Sequence, residues 1–326
     1  MLIAVNYHYI RPSFDNPYPS IFGMTPAEFQ AQLERLGEVG VFVSGQQVCD
    51  AIAGKDVLPD RAILVTFDDG LREQYDFAWP VLNRMGIPAL FFINTSPIAD
   101  CTVSQVHKIH LLRSQVAPED FLQMLLRHAR EQEIELDFNM DGNEAASQYP
   151  YDTPQNAQLK YALNFLLPLS DRERLIERCF GEVFYEREAE ISKKLYMNVE
   201  QINELNRRGC LGSHAHEHLP LGLLPAAEAE DQIRQAIRHV ERWTGHRPFA
   251  MSYPYGSEDA CSVEVGELAA RQGIVFAFTM ERAGNSSLAQ SLHLARFDSN
   301  DLPGGSGAKF RLPELFSEVP SASWHR

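Results

Sequence analysis

AILVTFDDG, residues 62–70, is the stretch whose reading decides the fold. Residues 62–67 are apolar or β-branched and read as a strand, and Asp68 and Asp69 stand at its carboxyl end, just before Gly70. Two adjacent ionised side chains repel each other, and placing both near a core costs free energy unless something positive is bound. A divalent cation resolves the conflict: one carboxylate ligates it while the other stays free to take a proton from water. The plain alternative is an Asp-Asp-Gly turn, since both residue types favour turns.

Outward from this stretch, strand-like runs alternate with helix-like segments, the pattern of an α/β fold with parallel strands. Residues 2–7 form the first run. Residues 25–39 read as a helix with Thr25 as N-cap, Pro26 at the first helical position and Glu28 in the first turn. A second helix over 73–85 is closed by Gly86, and 89–93 is a third strand. From about residue 96 to 195 the strands disappear. Residues 103–113, 119–133, 157–167 and 171–187 carry helical spacing, and the polar stretch 137–156 between them reads as a loop. The alternation then resumes with a helix at 199–208, a short run at 210–211 and a helix at 226–243. Strands follow at 249–253, 274–279 and 292–297, with a helix at 262–272 and a Gly/Pro-rich tail from 301. The most economical architecture is a distorted (β/α) barrel of about seven parallel strands. Residues 1–97 and 197–326 would build it as one discontinuous domain, and 98–196 would be an all-helical insertion capping the site. In barrels the chemistry sits where strands end and loops begin.

Of the chain's 326 residues, 44 are acidic and 29 basic, a formal net charge of −15. Such a field repels nucleic acid and anionic lipid, which excludes both as main partners. The five cysteines are scattered, odd in number and form no CxxC, so they read as reduced thiols rather than a disulfide or zinc-thiolate framework. The amino-terminal run has no basic region or cleavage site and reads as a strand rather than a signal peptide, and no apolar run reaches about 18 residues. The expectation is a cytoplasmic protein with no transmembrane segment; the oligomeric state is not legible.

The second decisive cluster is GSHAHEHL, residues 212–219, where three of the chain's 11 histidines fall within five positions. His214 and His218 are four apart and suit chelation of one ion on a helical turn or tight loop; His216 offers a rival pairing if the segment is extended. His107 and His110 share a helix face in the insertion and read as a solvated or substrate-facing surface. Trp79 and Trp243 sit in helices and read as packing.

Together these residues resemble the polysaccharide deacetylase family, the NodB-homology carbohydrate esterases. TFDDG (66–70) is similar to the family's first motif, SHAHEH (213–218) to its second, and SYPYG (252–256) to its third, which often reads RPPYG. The resemblance covers about 1–97 and 197–300 and leaves the helical insertion outside. It implies that Asp69, His214 and His218 hold one divalent metal ion, zinc first and cobalt, nickel or iron as alternatives, with Asp68 as general base. It implies attack of water on the acetamide of an N-acetylated sugar, with the Tyr255 backbone N–H helping to stabilise the oxyanion and Pro254, Tyr255 and His8 contacting substrate. The family's motif-three arginine falls at Ser252; Arg296, in LHLARFD, is the substitute expected to orient the base. The expected acid is His293, which follows Leu292 as the family's late histidine follows a leucine. His8, in NYHYI, ends the first strand and faces the same rim as Asp68.

The leading expectation is therefore a metal-dependent hydrolase that deacetylates a carbohydrate or glycoconjugate, an intracellular glycan precursor fitting better than a finished extracellular polymer. An amidase acting on a non-sugar C–N bond, and a catalytically silent carbohydrate-binding protein, are the alternatives.

Overall fold

The computed structural model describes residues 1–18, 21–134, 144, 145, 147, 153–185 and 187–324, apart from the side chain of residue 165. The chain divides into two compact units. One comprises Met1–Ser13, Gly23–Thr102 and Ser192–Arg326, the other Phe14–Phe22 and Val103–Ile191. The second unit lies within the expected insertion except for residues 14–22. It contains the helices Gln105–Gln115, Pro118–Glu131, Pro154–Tyr161 and Leu169–Phe184. Most of the polar stretch 137–156 lies outside the described residues.

The first unit is built on parallel strands: β1 (Leu2–Tyr7), β2 (Val41–Phe42), β3 (Ala62–Phe67), β4 (Ala89–Ile93), β5 (Leu211–Ser213), β6 (Ala250–Ser252), β7 (Phe276–Phe278) and β8 (Phe297–Asp298). Seven follow the order β7-β6-β5-β4-β3-β1-β8, and the short β2, which the sequence did not announce, pairs with β3 at one end. The sheet curls on itself. Leu294 bridges to Phe278 of β7, while Phe297 and Asp298 pair with Val5 and Asn6 of β1, so residues 294–298 join the two ends as a distorted barrel. The strand expected at 292–297 is thus split into a single turn at Ser291–His293 and the two-residue β8.

Every residue of β1, β3 and β4 is buried, as parallel strands covered on both faces must be. Side chains alternate between an outer layer under the helices, with Ile3, Val5, Ile63, Val65 and Phe91, and an inner plug of Leu2, Ala4, Leu64, Phe92, Phe278 and Leu294. Continued upward, the inner columns change character. Ala4 is followed by Asn6, Leu64 by Thr66 and Asp68, Ala250 by Ser252, and Leu294 by Arg296. Period-two alternation thus stacks a polar layer on an apolar plug, at the carboxyl ends of the strands.

Two local features frame that layer. The helix expected over 73–85 begins as a π-turn, Gln74–Ala78, before the α-helix Trp79–Met85. Pro80 has no N–H for the helical ladder, and the wider turn absorbs the lost bond. Gly70 holds φ 67°, and a Cβ there would come within 2.9 Å of Ile93 Cγ2, so only glycine lets the DDG turn lie against β4.

Candidate metal and catalytic centre

Asp69 follows β3 at φ 77°, and Ala215, His218 and Tyr255 also take left-handed backbone conformations, near φ 60°. Four of the seven described non-glycine residues at positive φ therefore fall in the three motifs, where surrounding structure must hold the strain. The loops so bent bring Asp69, His214 and His218 together, with one ligand atom from each within 4.8 Å of the others, and all three side chains buried. Nε2 of His214 lies 3.6 Å and Nε2 of His218 3.4 Å from Asp69 Oδ1. A tetrahedral ion with bonds of about 2.1 Å sets its ligand atoms about 3.4 Å apart, so this donor set fits a small divalent cation. Burial pushes the His214 pKa down to about 4, against the pull of Asp68, so the imidazole is neutral at pH 7 as a ligand must be.

His216, the rival in that loop, is not part of this cluster. His216 faces elsewhere: its Nδ1 lies 2.8 Å from Thr95 Oγ1, and its ring stacks on His239 at 5.3 Å. Among the described residues no other cluster of three potential ligands converges this way, and His107 and His110 stay within the helical unit with ring centroids 6.0 Å apart. Trp79 packs in the core and Trp243 against it.

Asp68 is held quite differently from its neighbour. Arg296, fully buried, reaches it from the strand segment that closes the barrel, with Nη1 2.8 Å from Oδ1 and Nη2 2.7 Å from Oδ2. Nη1 also donates to Thr66 Oγ1 and Nε to the Thr279 carbonyl, both at 3.2 Å, and the guanidinium sits over the rings of Phe278 and Phe92. Asn6 Nδ2 donates to Oδ2 at 3.0 Å and Ser252 Oγ to Oδ1 at 2.8 Å. Burial opposes ionisation of this carboxyl, but Arg296, His214 and the hydrogen bonds outweigh it and hold Asp68 well below the usual carboxylate range.

The two expected histidines part company. His293 lies in the Ser291–His293 turn, its Nε2 3.2 Å from the Ser262 carbonyl and its ring 6.0 Å from that of Tyr253. It packs against Gly266 in the outer helix Val263–Arg271. The His293 ring therefore lies on the side of the outer helix, whereas Arg296, three residues on, reaches Asp68. His8, half-buried at the end of β1, lies within the electrostatic field of Asp68. Tyr255 is 42% exposed, its ring edge-on to His218 at 4.9 Å, and Pro254 precedes it. Sequence reasoning missed Asn6, Thr66 and the constructive part played by Ser252, which read there only as a break in the third motif.

The polysaccharide deacetylase family model matches residues 55–135 and 184–275, more than half of the chain, taking in all three motifs and stopping short of Arg296. YxkH of Bacillus subtilis (strain 168), named for the polysaccharide deacetylases, is 30% identical over 90 residues; the alignment spans 27% of this chain and 30% of that relative. The fold is similar to that of the Streptococcus pyogenes deacetylase PplD in complex with acetate (TM-score 0.57, 14% identity, 91% of each chain). It is likewise similar to IcaB from Ammonifex degensii (TM-score 0.54, 20% identity, 91% of this chain and 90% of that one). A de-N-acetylase from Aggregatibacter actinomycetemcomitans gives TM-score 0.55 at 16% identity over 94% of this chain and 97% of that one. With the family model spanning the DDG turn, the histidine loop and the YPYG turn, and these solved structures sharing the barrel, the chain belongs to the polysaccharide deacetylase family.

Proposed function

We propose that this chain is a metal-dependent hydrolase that removes acetyl groups from N-acetylated sugars of a polysaccharide or glycan precursor. The observation that carries the reading is the convergence of Asp69, His214 and His218 one residue away from a carboxylate clamped by a buried arginine. A divalent ion bound by those three residues, zinc before cobalt, nickel or iron, supplies Lewis acidity toward the acetamide carbonyl and makes water nucleophilic at neutral pH. Asp68 is the base that accepts the proton of the attacking water. Arg296, Asn6 and Ser252 fix its plane and keep it ionised, so it is ready at any working pH although intrinsically weak. The Tyr255 N–H assists the oxyanion, and the exposed Tyr255 ring and Pro254 offer an apolar edge to the sugar.

For the acid we replace His293 with His8. His8 stands at the carboxyl end of β1, in the field of Asp68, whereas His293 faces the outer helix. Protonation of the leaving nitrogen by His8 completes C–N cleavage, giving acetate and a free amine. The test is acetate release from N-acetylglucosamine oligomers by the metal-loaded protein, with Asp68→Asn alongside. No acetate, or equal acetate from the variant, would sink the proposal.

A further inference from the structure

Ser252 occupies the strand-end position where the resembling family carries an arginine, yet it touches both halves of the site. His214 Nδ1 lies 2.8 Å from the Ser252 carbonyl and 2.7 Å from its hydroxyl, and that hydroxyl lies 2.8 Å from Asp68 Oδ1. A carbonyl oxygen has only lone pairs, so an imidazole nitrogen 2.8 Å away must carry the proton and donate. That fixes the tautomer: Nδ1 is protonated and Nε2, the atom facing Asp69 and His218, keeps its lone pair for an ion. Since Nδ1–H also points at Ser252 Oγ, the hydroxyl accepts there and its own proton goes to Asp68. The chain of donors runs from His214 Nδ1–H to Ser252 Oγ–H to Asp68 Oδ1. All three groups are buried, where such chains are strongest.

The geometry points to Ser252 as a positioning residue that links the base to the metal ligand, a hydroxyl inserted between carboxylate and imidazole. Carboxylates that bond directly to a ligating histidine raise its basicity and orient its ring. Here Asp68 does so through one intervening hydroxyl and so serves two tasks, base and outer support of His214. An arginine side chain at position 252 could not take this part, because it has no acceptor for Nδ1–H. Arg296, entering from the barrel's closing segment, leaves the position open to serine.

The inference rests on the proposed metal site, and its test reads metal affinity rather than turnover. Cobalt(II) is titrated into metal-free protein against a competing chelator, following visible absorption, for wild type, Ser252→Ala, Ser252→Thr, Asp68→Asn and the Ser252→Ala/Asp68→Asn double variant. Ser252→Ala is expected to weaken cobalt binding about 10- to 100-fold, and to melt somewhat below wild type when metal-free because buried Asp68 loses a donor. Ser252→Thr, which keeps the hydroxyl, should stay within about twofold of wild type. In the double variant Asp68→Asn should add no more than about twofold to the Ser252→Ala loss, because the pathway is already cut. If Ser252→Ala does not fold, Ser252→Cys, of similar size and a weak donor, takes its place with the same expected loss. Wild-type affinity and spectrum in Ser252→Ala, or losses that simply add, would overturn the link, and a wild type that binds no cobalt overturns it together with the metal site. A wild type that binds cobalt but releases no acetate breaks the proposed reaction alone, and non-additive cobalt losses would still support the link.

Discussion

Arg296 in the barrel and Lys108 in the helical unit are both buried cations with carboxylate partners, but the partners are placed differently. Asp68 is buried, like the arginine that clamps it. Lys108 meets Glu177 at 2.5 Å and Glu188 at 2.9 Å, and those carboxylates are 47% and 29% exposed. In the helical unit only the cation is desolvated, and water screens the pair. In the barrel both charges are stripped of water, an arrangement that often costs stability relative to apolar packing. The helical pair is explained by local packing over Phe180, whereas the barrel pair makes sense only through what it holds in place.

The comparison breaks most visibly in turnover. Asp69→Ala or His218→Ala should lower acetate release by on the order of 10²–10³-fold or more and remove cobalt binding, while Lys108→Met should leave turnover within about twofold. A large loss from Lys108→Met would mean that the helical unit carries chemistry as well.

The next contrast sets the inner face against the outer face of one sheet. His8→Gln should cost about 10²–10⁴-fold in kcat, the contribution of a positioned acid, and His293→Gln about twofold at most. Steady-state kinetics on N-acetylglucosamine oligomers checks this, and the opposite ranking would return the acid's role to His293.

In stability, Arg296→Met should lower the free energy of unfolding by about 3–5 kcal/mol, because it strands a buried carboxylate. Lys108→Met should lower it by less than about 1 kcal/mol, and equal losses in urea unfolding would erase the distinction.

The last contrast is in pH. His214 has a folded pKa depressed to about 4, below the unfolded value of about 6.5, so the unfolded chain binds more protons between them. Stability of the metal-free protein should fall as pH drops from about 6.5 toward 4, and His214→Gln should flatten that part of the curve. Asp68, depressed by Arg296, contributes in the same direction at lower pH: its stabilisation is present above the unfolded pKa of about 4 and fades as pH falls toward its folded pKa. Thermal melts across this range would expose an error in either sign.

Much of this was legible in the chain itself. The run 62–67 ended in two aspartates, which marked a strand end with a charge conflict. The spacing of His214 and His218 and the resemblance of three motifs nominated the metal ligands, and the lack of an arginine at 252 directed attention to Arg296. The loss of strand-like runs read as a helical insertion over 98–196, while the compact helical unit comprises Phe14–Phe22 and Val103–Ile191.

What only the tertiary structure decided is which face of each strand looks into the barrel. In a parallel sheet buried on both sides, apolar residues fill both faces, so the alternation that would separate inside from outside leaves no trace in the sequence. Asn6, Thr66 and Ser252 are short polar residues within apolar runs, and nothing local says that they meet at Asp68. His293 packs toward the outer helix and Arg296, only three residues on, reaches Asp68, a difference set by the turn at Ser291–His293 and by closure of the sheet through residues 294–298. The sequence by itself determined the residue types able to bind an ion and move a proton; closure of the barrel decided which of them share one polar layer.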